Sequence, residues 1–184
     1  DSAEVQGALS HDSISAADLA LGRFDQARVL IGLVDWESLD SHVLYRGAIG
    51  TVAEQAGEFT ATLQSRKVEL LRDPVPRTSP SCRAAFCGPG CALPGARFDH
   101  HGIVATCDLA ANSVHVTTAI TPALLVGGRL RWLDGPLAGL AMGIAALDGT
   151  ALVLDQPLDL VPPAGARVLL REGCDRTLDT CATR

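Results

Sequence analysis

Aromatic side chains are scarce in this sequence. Two Trp, one Tyr and four Phe make up 4% of its 184 residues. A core must therefore be built from Leu, Val, Ala and Ile. A carbohydrate- or receptor-binding face that stacks sugars on exposed rings has little to draw on. Basic blocks are missing as well. Fifteen Lys and Arg stand against 21 Asp and Glu, a net charge of -6. No stretch resembles a surface that tracks phosphates. No apolar run reaches the ~18 residues of a membrane span. The longest, LAGLAMGIAALDG, is broken by glycine and reads as a buried strand or hairpin. No G-x-G-x-x-G follows a strand and opens a helix, so no nucleotide loop is indicated. No G-x-S-x-G elbow exists to turn Ser79, Ser81 and His101 into a hydrolase set. The opening residues, DSAEVQGALSHDS, lack an initiator Met, a basic n-region and an apolar h-region. They read as the interior of a longer chain.

What is present is β-rich. With 47% hydrophobic residues the chain buries a real core. A helix-start residue, Ser13, an apolar pattern and a terminal Gly22 predict a short helix of about two turns. Apolar runs at 27–36, 43–52 and 58–64 follow, with Gln55-Ala-Gly57 as a turn, and predict an antiparallel meander. Residues 66–72 carry one or two helical turns. From 73 to 97 the character changes. Five of the ten prolines and three glycines fall here, so neither helix nor sheet runs through. Strands return at 102–107, 113–118, 128–133, 140–147, 150–154 and 166–170. Asp148-Gly149 is the strongest hairpin signal, and Asp134-Gly135 is turn chemistry rather than an acid–base pair. The expected fold is mainly β: antiparallel barrel or sandwich units, a short N-terminal helix and a long Cys/Pro/Gly loop. The expected divisions are a partial β domain at 1–72, the loop at 73–97, a barrel-like domain at 98–172 and a C-terminal Cys motif at 173–184. Trp36 and Trp132 are expected as core or interface anchors.

The chemistry lies in six cysteines: 82, 87, 91, 107, 174 and 181. A loop as long and irregular as 73–97 needs a reason, and its thiols supply one. Three readings compete. Disulfides suit the even count, but a sizeable core needs no staples. Zinc suits Cys87-x3-Cys91, with His100 or His101 as further ligands, but not Cys174-x6-Cys181. The two histidines otherwise read as surface residues. An iron–sulfur cluster needs four thiolates, whose spacing varies widely. Cys107, within a strand, reads as a small buried hydrophobe. Spacing alone does not choose among these, and unpaired thiols remain a fourth possibility.

Residues 14–36, ISAADLALGRFDQARVLIGLVDW, resemble a segment of the tail hub proteins of gene transfer agents and related tailed phages. That family shows a helix, then GRYDGA, then an apolar strand ending in Trp; here the middle element is Gly22-Arg-Phe-Asp-Gln-Ala27. LYRGAIG at 44–50 and EFTATL at 58–63 match the next two strands. GCDRTLDTC at 173–181 is similar to the family's GCDKRFATC, the most specific match. The resemblance covers nearly the whole chain. It implies a non-catalytic structural protein of the tail tip or baseplate, with tail-tube-like β domains in a threefold ring. The expected partners are other tail proteins and further copies, as a homotrimer. DNA passes through without sequence recognition. The expected location is the particle tail, assembled in the bacterial cytoplasm, with no membrane span. Some members carry a [4Fe–4S] cluster on two cysteine pairs, one spaced by eight residues and one by six. Cys82-x8-Cys91 and Cys174-x6-Cys181 fit both spacings, so the resemblance implies Cys82, Cys91, Cys174 and Cys181 as ligands. Cys87 is an extra thiol and the alternative to Cys82. Such a cluster would clamp the loop to the C-terminus and act as a stability or conformational switch at tail opening. The family's segments before and after this sequence are missing, which again reads as a fragment. The alternatives are a zinc- or disulfide-stabilised β binding module, or an Fe–S redox protein.

Overall fold

The computed structural model describes residues 3–8, 14–55, 58–71, 75 and 78–184. The chain is mainly β and forms two compact units, Asp1–Arg77 and Thr78–Arg184.

The first unit is an open four-stranded antiparallel sheet. Its strands are β1 (Ala3–Ala8), β2 (Arg28–Val34), β3 (Ser41–Gln55) and β4 (Glu58–Ser65), in spatial order β1-β4-β3-β2. The meander expected from sequence is there, and β1 is added to its β4 edge. β1 was not anticipated; Val5 is its one large apolar residue, so no alternation announces it. Helix α1 (Ala16–Ala20) is shorter than the two turns expected. Ser15 caps it by accepting the Asp18 N–H at 3.1 Å. Gly22, at φ +66°, ends it in the left-handed region. The start residue expected from sequence, Ser13, and most of the Gln55–Gly57 turn lie outside the described residues. A 3-10 helix spans Arg66–Leu71. Val29, Ile49, Phe59, Ala61 and Leu63 meet Leu19 and Phe24 on one sheet face. Gly47 sits under the Tyr45 ring, where a side chain would collide with it.

β3 is far longer than its neighbours. Its half from Gly47 onward pairs with β4, but Ser41–Arg46 pairs only with β2. The distal β2–β3 hairpin therefore projects as a two-stranded ribbon.

The second unit is a closed six-stranded barrel. Strands β5 (Asp99–Asp108), β6 (Ser113–Thr118), β7 (Arg129–Trp132), β8 (Ala141–Asp148), β9 (Ala151–Leu154) and β10 (Arg167–Arg171) run in the order β10-β5-β6-β9-β8-β7. β7 pairs back to β10, so no edge is left unpaired. Inward residues alternate along the strands: Leu130 and Trp132, Met142 and Ile144, Val168 and Leu170 are all buried. The β8–β9 hairpin turns at Asp148-Gly149 as the sequence indicated, with Gly149 at φ +59°. The cysteine loop from Thr78 onward and the C-terminal motif belong to this same unit.

Candidate functional site

The barrel supplies a rigid exit for the C-terminal motif. After β10 the chain is held by Glu172 N–H on the Phe98 carbonyl at 3.1 Å and Gly173 N–H on the Leu124 carbonyl at 2.8 Å. Gly173 is required there, because a Cβ would run into the Val126 carbonyl. Cys174 follows, and its sulfur accepts the Arg176 N–H at 3.4 Å. Arg176 lies at φ +60°, so the chain turns sharply. Thr177 then caps helix α2 (Leu178–Thr183), which carries Cys181. Asp175 braces the turn. Its carboxylate accepts from the Thr177 N–H at 2.9 Å and from the Thr177 and Thr180 hydroxyls at 3.0 and 2.7 Å. The Thr177 N–H, then the Thr180 hydroxyl, hold this carboxyl below its usual range.

The loop is pinned to this motif by one backbone bond, Cys82 N–H to the Arg176 carbonyl at 2.9 Å. Two tight turns, Gly88 N–H to Ala85 and Cys91 N–H to Gly88, carry the chain on to Cys91. Phe86 and Phe98 meet edge to face, with centroids 5.0 Å apart. The Arg184 guanidinium lies over both rings, at 5.0 and 5.6 Å. Arg184 also donates to the Gly173 carbonyl at 2.8 Å. The two cysteine segments thus share an aromatic and cationic seam.

Beside that seam is a small cavity of about 30 Å³, lined by Cys82, Cys91, Cys174 and Cys181 with Phe86, Leu93 and other residues. Two thiols come from the loop and two from the C-terminal motif. Cys87 is not among the lining residues. It sits at φ +55°, and burial pushes its thiol up, opposed by the nearby Arg171 charge. Arg171 is itself held by a two-pronged pair with Asp99, at 2.7 and 2.8 Å. Cys107 is half-buried on β5, where burial raises its thiol, and it does not line the cavity. All six cysteines are free thiols.

Neither histidine lines the cavity. His100 contacts Glu172 at 2.9 Å, and His101 is exposed on β5. Among the described residues no three His, Cys, Asp or Glu side chains gather closely enough to hold one metal ion. A tetrahedral zinc site draws its ligands to one centre. A polynuclear cluster spreads its thiolates over several metal atoms. The donor set is four sulfurs around one apolar-walled space, with Arg176 and Arg184 in the wall. Four thiolates are a donor set that an iron–sulfur cluster takes, and the two arginines would offset its negative charge. Arg176, Arg184, Phe86 and Asp175 were not singled out from sequence. The one usable signal was Phe86 lying between two cysteines in a chain poor in aromatics.

The barrel bears a second, open groove of about 600 Å³, where Arg129, Arg171 and Arg176 face Asp155 and Glu172. Among the described residues no helix is long and apolar enough to cross a membrane.

Residues 1–94 match the family model described as baseplate hub protein, N-terminal attachment domain. The chain belongs to that baseplate hub family. Residues 124–184 match a second model, the phage conserved hypothetical protein BR0599. The hub match contains Cys82 and Cys91; the second contains Cys174 and Cys181. A chain in a solved structure, described as the virion of a native gene transfer agent particle, is 31% identical with a TM-score of 0.81. The match covers 100% of this chain and 66% of that one, so this hub-family chain spans 66% of its relative's length. No curated protein matches.

Proposed function

We propose that this chain is a structural component of a phage-type baseplate hub, located in the tail of a virion or gene transfer agent particle. The observation that carries this is the hub-family match joined to full-length similarity with a chain of such a particle. Its role is mechanical rather than catalytic: it joins other tail proteins and lines part of the route by which DNA leaves. A homotrimeric ring supplies that route. The net charge of -6 suits a lumen that must release DNA rather than hold it.

We further propose that Cys82, Cys91, Cys174 and Cys181 hold a [4Fe–4S] cluster, with Cys87 outside the ligand set. The cluster would supply metal–thiolate cross-links between two chain segments, which couples its binding to folding. The chain's own residues prepare the place. Arg176 and Arg184 offset negative charge, and the Arg176 N–H points at the Cys174 sulfur. The present cavity has room for about one water. Seating a larger group requires the loop to yield, and a single backbone bond pins Cys82 to the opposite wall.

The test is anaerobic purification of wild type, Cys82→Ser and Cys87→Ser, followed by visible spectra and iron and sulfide assays. The expected result is roughly four iron and four sulfide per chain. They are lost in Cys82→Ser and kept in Cys87→Ser. Zinc in place of iron, or loss in Cys87→Ser alone, overturns the assignment.

A further inference from the structure

The first unit leaves its β2–β3 ribbon uncovered. Leu33, Val34, Leu44 and Leu39 are exposed along the projecting β2–β3 ribbon, and Trp36 at its tip is 81% exposed. A two-stranded ribbon with apolar side chains in water is marginal by itself. An exposed patch of this kind marks a contact surface.

The tip is built rather than loose. Asp35 N–H bonds the Asp40 carbonyl and Leu39 N–H the Asp35 carbonyl, both at 2.8 Å. The Asp35 side chain accepts the Glu37 N–H at 2.9 Å. Trp36 and Leu39 are thereby presented among three carboxylates, Asp35, Glu37 and Asp40. A pre-formed tip loses little freedom on binding.

The same unit carries a complementary surface. At the base of the ribbon is a groove of about 510 Å³, lined by Arg28, Leu30, Arg46, Gln64, Val68 and neighbouring backbone. Leu30 pairs with Arg46 across the strands, which puts Arg28 and Arg46 diagonally adjacent on one sheet face. Among the described residues neither arginine forms an ion pair. The groove thus offers two guanidinium groups without an ion pair beside the apolar Leu30 and Val68, with Gln26, Gln64 and Ser65 also in its lining. The tip offers an indole and a leucine flanked by carboxylates.

We propose that the Trp36 tip of one copy docks in the Arg28/Arg46 groove of a second copy. The inference rests on the reading of the chain as an assembly component and names the contact. Tip and groove are different patches on one unit, so the contact is head to tail and propagates to a ring or an open chain. Trp36 is the buried anchor, and the arginines discriminate by charge.

Sedimentation velocity of the full chain over a concentration series tests this. Wild type associates, and 1 M salt weakens it. Trp36→Ala and the pair Arg28→Glu/Arg46→Glu each weaken association at least about tenfold. Mixing the two variants is decisive. Trp36→Ala keeps its groove and the Arg-reversed chain keeps its tip, so together they form a one-to-one dimer and nothing larger. Adding Asp35→Lys/Asp40→Lys to the reversed chain restores association. A wild type that stays monomeric, or that associates unchanged after Trp36→Ala, overturns the contact. So does a monomer whose ribbon binds a different tail protein. A monomer that still carries iron and sulfide loses this contact and leaves the hub reading standing.

Discussion

The two units solve the same problem in opposite ways. A sheet has edges, and edges must be paired or covered. The barrel closes on itself, and sixteen of the eighteen buried apolar residues among those described lie in it. The open sheet buries only Ala61 and Leu63 to the same degree and leaves a ribbon of Leu, Val and Trp in water. The barrel covers its apolar side chains with its own strands. The sheet reads as half of an interface. Its two tryptophans make the contrast sharpest: Trp132 is 0% exposed inside the barrel, and Trp36 is 81% exposed at the ribbon tip. Both were expected as core or interface anchors; the fold buries Trp132 in the core and leaves Trp36 exposed, where the proposed contact would use it.

The largest expected effect breaks this contrast directly. Trp132→Ala empties the barrel centre and costs about 3–5 kcal/mol. Trp36→Ala changes the stability of an isolated chain by less than about 0.5 kcal/mol. Urea unfolding of both variants at low protein concentration measures the difference. Equal losses would mean that the ribbon is packed within its own chain and that the two units do not differ as described.

The barrel was more legible in the sequence than the sheet, for a physical reason. Its strands alternate apolar and polar because one face is buried, as in Arg129-Leu130-Arg131-Trp132. Its turns carry their own chemistry, as at Asp148-Gly149. The sheet's β2 is apolar on successive residues, Val-Leu-Ile-Gly-Leu-Val, and so does not say which face is covered. The pattern that hid its orientation is the pattern of an uncovered ribbon. β1 was hidden because it has almost no pattern. At the thiol site the sequence supplied candidates but not their register. Choosing Cys82 over Cys87 as a cavity-lining residue depends on a bond between Cys82 and Arg176, 94 positions apart. The x8 spacing of the resembling family favoured Cys82 and kept Cys87 as the alternative, but no local spacing shows which chain segment Cys82 meets.

Glycines sharpen the comparison at smaller scale. Gly173 lies against the Val126 carbonyl, in backbone fixed by the barrel on both sides. Gly173→Ala is expected to cost about 1–3 kcal/mol and to displace Cys174. In the ribbon, a Cβ on Gly32 would meet the His42 carbonyl at 3.1 Å. Gly32 and His42 lie where β3 has only β2 as a neighbour, so the strands have room to shift. Gly32→Ala is expected to cost less than about 1 kcal/mol, since alanine also removes freedom from the unfolded chain. Thermal unfolding of the two variants ranks them. A larger loss at Gly32 would show that the ribbon is held as firmly as the barrel.

The smallest expected effect compares two exposed carboxylates that brace turns. Asp35 at the ribbon tip is held below its usual range, first by the Glu37 N–H and then by Ser38. Asp175 in the C-terminal motif is held down first by the Thr177 N–H and then by the Thr180 hydroxyl. For a carboxyl lowered in the folded state, the stabilising contribution is complete above its unfolded value, near pH ~4. It is lost as pH falls through the lowered folded value. Both turns should therefore loosen only below about pH 4, and hold from there upward. The reach of the loosening differs. At the tip, the Asp35 side chain accepts within its own turn. At the motif, the Asp175 carboxylate also holds Thr180, the residue before Cys181. Protonation there should free the start of α2 and speed amide exchange at Thr180 and Cys181. Asp175→Asn should reproduce that faster exchange at pH 7, and Asp35→Asn should leave Cys181 unchanged. NMR amide exchange across pH 3–7 reads both sites in one sample. Equal exchange at Cys181 in all three chains would mean that Asp175 decorates the thiol site without bracing it.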